Sequence, residues 1–179
     1  MLAIGLGIIF SICAGYLTQL DIFEQLSTNH DAKVSNEAQA DPIYIVMLVT
    51  GFLVPFVEKI IFRGLLYQTL KTHYAMTTTI IIQAAIFAVI HVNPLQIIYT
   101  FILGLLFAWL VVSVNSLWAS ILMHMSFNLT TIVILRITLE KESVFPFLLL
   151  MIFSISSILI GIAVRLIKSK ALVRNNVTT

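Results

Sequence analysis

The stretch Val57–Leu66, VEKIIFRGLL, decides how this chain is read. Glu58, Lys59 and Arg63 fall there within six residues, with apolar residues on both sides. The surrounding 179-residue chain is 60% hydrophobic and 10% charged, with a mean hydropathy of +1.06. Soluble domains lie far below that value, so lipid is the expected solvent. A charged side chain at the bilayer centre costs about 2.5–3.5 kcal/mol, so three unpaired ones approach ~10 kcal/mol. A whole fold is stable by only about 5–15 kcal/mol. These residues must face a wet or protein-lined interior, pair with one another, or reach the interface.

Working outward, a bilayer core takes about 20 apolar residues per helix, and the chain has room for about six spans and no separate soluble domain. The expected fold is an all-α polytopic transmembrane bundle forming one domain over residues 1–179, with its chemistry between about 42 and 130. Span one runs over Leu2–Leu20; with no Lys or Arg ahead of its apolar run, it reads as a retained span rather than a signal peptide. Residues 21–41 form a long polar segment. Span two begins near Pro42 and reaches about Leu70, long enough to tilt or to project from the lipid. Span three covers about Ala75–His91 and ends at Asn93-Pro94, since proline disfavours helix before it. Spans four, five and six are expected at about Leu95–Val112, Leu117–Leu139 and Val144–Ile167.

The segment 21–41 holds five acids and one lysine, whereas Lys71, Arg165, Lys168, Lys170 and Arg174 mark the other side. By the bias of Lys and Arg toward the cytoplasm, both termini are expected inside. A net charge of +2 gives no argument for nucleic acid. The lone Cys13 lies in an apolar run and excludes an intramolecular disulfide framework.

Two polar stripes join the charges of span two. Gln83, Phe87 and His91 are spaced by four on span three, and Ser120, His124 and Asn128 are spaced by four on span five. Residues so spaced share a helix face. A carboxylate, two imidazoles and a carboxamide from three spans can therefore converge, and groups of this kind activate water. Each residue also has a plain structural role open to it. Membrane histidines and asparagines join helices by hydrogen bonds, and lysine and arginine reach toward the interface.

In order and spacing, these residues resemble the CAAX-protease and bacteriocin-processing family of intramembrane proteases, also called the Abi or type II CAAX prenyl endopeptidase family. Its first motif, two glutamates then arginine after three residues, is matched by Glu58-Lys59-Ile60-Ile61-Phe62-Arg63-Gly64. Its second, Phe-x-x-x-His, is matched by Phe87 and His91, and its third, His-x-x-x-Asn, by His124 and Asn128. One position departs from the pattern: Lys59 stands where the family has its second glutamate. Lys59 and Arg63 are like charges four residues apart, which repel on a regular helix.

The resemblance implies that Glu58 is the general base, that His91 holds and polarises the water, and that His124 and Asn128 donate to the oxyanion. Arg63, Phe87 and Lys59 would support them. No obligatory cofactor is expected. A divalent metal such as zinc, held by His91, His124 and Glu58, is the competing chemistry, although the chain has no His-Glu-x-x-His pattern. The implied partners are the bilayer and a membrane-associated peptide or protein substrate, and the implied location is a bacterial plasma membrane. The alternative reading is a non-catalytic relative, acting in bacteriocin immunity or binding a membrane partner, and Lys59 favours it. A small transporter fits less well, because no repeated halves or paired broken helices appear.

Overall fold

A computed structural model describes residues 1–18, 41–140, 156, 157 and 160, and among these the regular structure is helical. Five helices follow in order: α1 (Leu2–Thr18), α2 (Ile43–Leu70), α3 (Met76–Val89), α4 (Pro94–Val114) and α5 (Leu117–Glu140). Three are long and apolar enough to cross a membrane: α2, α4 and the part of α5 over Leu117–Arg136. The apolar runs Leu2–Leu17 and Met76–Val89 are shorter. At 1.5 Å per residue, α3 reaches only about 21 Å, less than the ~30 Å hydrocarbon layer. Against the six spans expected, the described residues contain five helices, three of them of membrane-crossing length. The polar segment after α1, most of span six and the basic tail lie outside the described residues.

Helix ends follow local chemistry. α3 stops at Val89, two residues short of His91, and the chain turns through Val92 at φ 65°. Asn93 then caps α4, its Oδ1 accepting from the Gln96 amide at 3.0 Å, and Pro94 takes the first helical position. Proline suits that place because its missing N–H had no helical partner there. α4 ends on Asn115 in the left-handed region, at φ 49°, which asparagine tolerates better than most residues.

α2 is not a uniform α-helix. Met47–Leu53 and Ile60–Leu66 are π-helical, on either side of the α-helical turn Val54–Lys59. The Val54 amide reaches back five residues to the Val49 carbonyl, and that of Tyr67 to Phe62. Such widened turns commonly sit at functional sites. Here they bracket Glu58 and Lys59.

The helices pack closely where small residues allow it. α1 lies along α5, and α3 along α4, while α2 and α4 also pack on α5. A Cβ on Gly7 would stand 2.2 Å from the Met123 carbonyl oxygen and 2.1 Å from Ser126 Oγ. Backbone meets backbone there, as expected of helix pairs in lipid. Just beyond it, Ser11 Oγ lies 2.8 Å from Thr131 Oγ1. The Thr131 hydroxyl is itself donating to the Phe127 carbonyl, so Ser11 is the donor to Thr131. At the far end of α5, Arg136 donates to the Asp41 carbonyl at 2.8 Å, tying α5 to the entry of α2. Gly7→Ala is expected to cost about 1–3 kcal/mol, because the carbonyl opposite cannot swing away as a side chain can. The check is thermal unfolding in detergent, where a drop of about 2–12 °C is expected.

Charged and polar residues share the interior with an apolar core around Phe87, Leu103 and Phe107. Leu48, Leu65, Trp109 and Trp118 are exposed, while Lys59, Arg63, Gln83 and Ser120 are enclosed. Apolar side chains thus face outward and the charges face the bundle, as lipid requires.

Candidate active site

The site is built from α2, the α3–α4 turn, α4 and α5. Glu58 occupies the α-helical turn of α2 and His124 the middle of α5. Across the two helices, His124 Nδ1 and Glu58 Oε2 stand 3.5 Å apart. Neither atom has a hydrogen-bond partner. The gap is longer than a good hydrogen bond, and a slight approach closes a direct bond. His124 is nearly enclosed, whereas the Glu58 side chain is 20% exposed, so the pair opens on the Glu58 side.

Phe87 organises the two imidazoles. Its ring centroid is 5.0 Å from that of His91 and 6.0 Å from that of His124, both edge to face. The two imidazoles can therefore be no farther apart than those lengths combined. His91 Nδ1 lies 2.8 Å from the Phe87 carbonyl. A carbonyl only accepts, so Nδ1 carries the hydrogen, and a neutral His91 keeps Nε2 as an acceptor facing away from its own helix. The break at Val89 places His91 in the turn, where it is half-buried rather than locked in α3. The following Val92 is β-branched at positive φ, a strained conformation of the kind that gathers at functional sites.

Lys59 and Arg63 do not project together toward solvent. Lys59 is 0% exposed, its Nζ 4.3 Å from the Phe87 centroid and 3.9 Å from that of Phe107. An ammonium between two ring faces is attracted by both, by about 2 kcal/mol or more once desolvated. Arg63 is 2% exposed and donates through Nη2 to the Gly104 carbonyl. Gly104 also permits the close crossing of α4 on α3: a Cβ there would stand 3.0 Å from Ala84 Cα. Lys59 and Arg63 thus take separate partners, two ring faces and a backbone carbonyl.

Asn128 has a partner already, donating through Nδ2 to the Thr50 carbonyl at 2.8 Å. Thr50 belongs to the first π-helical segment of α2, so this bond joins α5 to α2. The helix-joining role and a catalytic one are compatible, because one amide hydrogen of Asn128 remains. Gln83 and Ser120, one turn before Phe87 and His124, are completely enclosed with side-chain polar atoms unpartnered.

The structure thus gathers Glu58, Lys59, Phe87, His91 and His124 around Phe87 and Phe107, with Arg63 and Asn128 at the margins. Phe107 was not singled out in the sequence. Its ring lies 5.0 Å from that of His124, but nothing in a uniformly apolar span marks one phenylalanine from another. Among the described residues, no three His, Cys, Asp or Glu gather in the manner of a metal shell. Glu58, His91 and His124 as placed do not fit one, and no step below runs through a metal.

An all-helical protein with membrane-length apolar helices, enclosing a carboxylate, two imidazoles and two cations, is an integral membrane protein with a polar site inside the bundle. The family model of the Rce1-like type II CAAX prenyl endopeptidases matches residues 40–130, just over half of the chain. The chain belongs to that family, which is one of membrane proteases. Neither a curated protein nor a solved structure matches it.

Proposed function

We propose that this chain is an intramembrane endopeptidase that hydrolyses a peptide bond in a membrane-associated peptide or protein. The observation that carries the reading is the approach of Glu58 and His124 from separate helices, with both imidazoles set against Phe87. A water held beside Glu58 on its exposed side gives its proton to that carboxylate, while the Nε2 lone pair of His91 orients it. The resulting nucleophile adds to the peptide carbonyl. N–H donors from His124 and Asn128 stabilise the oxyanion, each such donor being worth about 3–4 kcal/mol of barrier. Proton return to the leaving amine completes hydrolysis, with no covalent enzyme intermediate.

The requirements are no obligatory cofactor, a bilayer, and a substrate drawn from membrane-docked peptides such as leader or signalling propeptides. The proposed setting is a bacterial plasma membrane, with both termini cytoplasmic and the whole chain acting as one domain. The test uses purified protein in detergent with candidate peptides, and Glu58→Ala, His91→Ala and His124→Ala made separately. Cleavage by the parent should vanish in all three variants. Cleavage that persists in any of them removes that residue from the mechanism.

One observation favours a second reading, a non-catalytic relative that binds a partner or confers bacteriocin immunity: Lys59 stands in place of the second glutamate of the family pattern. A protective phenotype that survives Glu58→Ala supports that reading and counts against the peptidase.

A further inference from the structure

One backbone carbonyl of α2 is left to a side chain, because a hydrogen is missing. In an α-helix the Thr50 carbonyl would accept from the Val54 amide, and in a π-helix from that of residue 55. The Val54 amide bonds instead to the Val49 carbonyl. Residue 55 is proline, which has no N–H to give. Within an apolar helix of membrane length, a carbonyl so stranded finds no water to satisfy it. Asn128 fills the place from α5, donating through Nδ2 at 2.8 Å. The helices come close beside that bond: a Cβ on Gly51 would stand 2.5 Å from Leu129 Cδ2.

The same two helices meet again on the other side of Pro55. Pro55 stands near the start of the turn Val54–Lys59, which carries Glu58, and Glu58 Oε2 lies 3.5 Å from His124 Nδ1. His124 and Asn128 are one turn apart on α5 and share a face. α5 thus holds α2 before the proline and presents an imidazole to the carboxylate after it. We propose that Pro55 and Asn128 are positioning residues: the proline frees the Thr50 carbonyl, the carboxamide captures it, and the captured turn sets Glu58 against His124. The proposal rests on the peptidase reading for what Glu58 does, but not for where it stands. An N–H restored at position 55 gives the Thr50 carbonyl a donor in its own helix and takes the acceptor from Asn128. Such a variant should be at least as stable as the parent, with its carboxylate less well placed.

The test uses the full chain in nanodiscs, with Pro55→Ala, Pro55→Val and Asn128→Ala. Alanine and valine both carry the N–H but differ in size, which controls for packing at this buried position. Asn128→Ala alone should lower Tm by about 1–7 °C, the loss of one hydrogen bond between helices in lipid. Added to either Pro55 variant it should have no further effect, because the bond is already gone. Nitrogen NMR of isotope-labelled histidine reads the site without substrate. The His124 Nδ1 resonance, assigned by its loss in His124→Gln, should move in both Pro55 variants toward its position in Glu58→Gln. Where the parent cleaves a peptide, the Pro55 variants should lower kcat about tenfold or more and leave KM unchanged. An equal Tm loss from Asn128→Ala in every background, an unmoved His124 resonance, or a parental kcat in the Pro55 variants overturns the proposal. The expected Tm and NMR pattern in a chain that cleaves nothing leaves it standing and sinks the peptidase reading. Cleavage by the parent with an unmoved resonance does the reverse.

Discussion

On the proposed peptidase reading, Glu58→Gln is expected to give a folded protein whose peptide hydrolysis is lowered by about 10²–10⁴-fold, the usual worth of a positioned general base. Glutamine matches glutamate in shape, so the approach to His124 Nδ1, 3.5 Å in the parent, is kept. It cannot accept the proton that a water must lose, and the rate falls for that reason alone. The substitution also strips the site of its enclosed negative charge, beside Lys59 and Arg63. Removing one partner of a fully buried charge set costs about 3–5 kcal/mol. The partial exposure of Glu58 reduces that figure here, because water screens it. Stability and rate must therefore be read separately, by thermal unfolding and by steady-state cleavage of one peptide. Glu58→Asp keeps the charge but withdraws the carboxylate by one methylene, and should recover stability more fully than rate. A Glu58→Gln protein that cleaves at the parental rate removes Glu58 from the chemistry.

Phe87→Ala is expected to be the most destabilising single change in the site. Phe87 is 1% exposed and meets Phe62 and Phe107 at 5.2 and 6.1 Å between ring centroids, besides both imidazoles and the Lys59 ammonium. Truncating a buried phenylalanine costs about 3–5 kcal/mol through lost burial and the cavity left behind. That corresponds to a fall in Tm of about 6–20 °C for a chain of this length. Function should fall further than stability accounts for, because His91 and His124 lose the surface that fixes their rings. Phe87→Leu refills much of the volume and should restore most of the Tm. It lacks the flat ring that orients two imidazoles, so cleavage should stay low. A Leu variant with parental activity shows that the ring serves packing alone.

Several parts of this architecture were readable from residues alone, each for a definite reason. The apolar runs of α2, α4 and α5 declare themselves by length, since few other environments accept so many consecutive hydrophobic residues. Asn93-Pro94 marks the boundary between α3 and α4 because proline acts through covalent geometry, whatever surrounds it. The spacing by four of Phe87 and His91, and of His124 and Asn128, reports shared helix faces. Spacing did not show that His91 lies beyond the end of α3 and is held by the Phe87 carbonyl rather than by helical geometry. Nor could a regular helical repeat reveal the π-helical turns of α2. Phe107 had no signal at all.

By itself the sequence determined the solvent, the helical class, the family and the residues able to do chemistry, because hydropathy, proline geometry and motif spacing are local properties. Only the tertiary structure decided which of those residues meet. It set Glu58 against His124, laid both imidazoles on Phe87, and enclosed Lys59 between two rings. Apart from that of His91 with Phe87, each of these contacts joins positions far apart in the chain, so it depends on how helices cross and where they bulge. That crossing is decided by close approaches such as Gly7 on Met123 and Gly104 on Ala84, which no single segment contains.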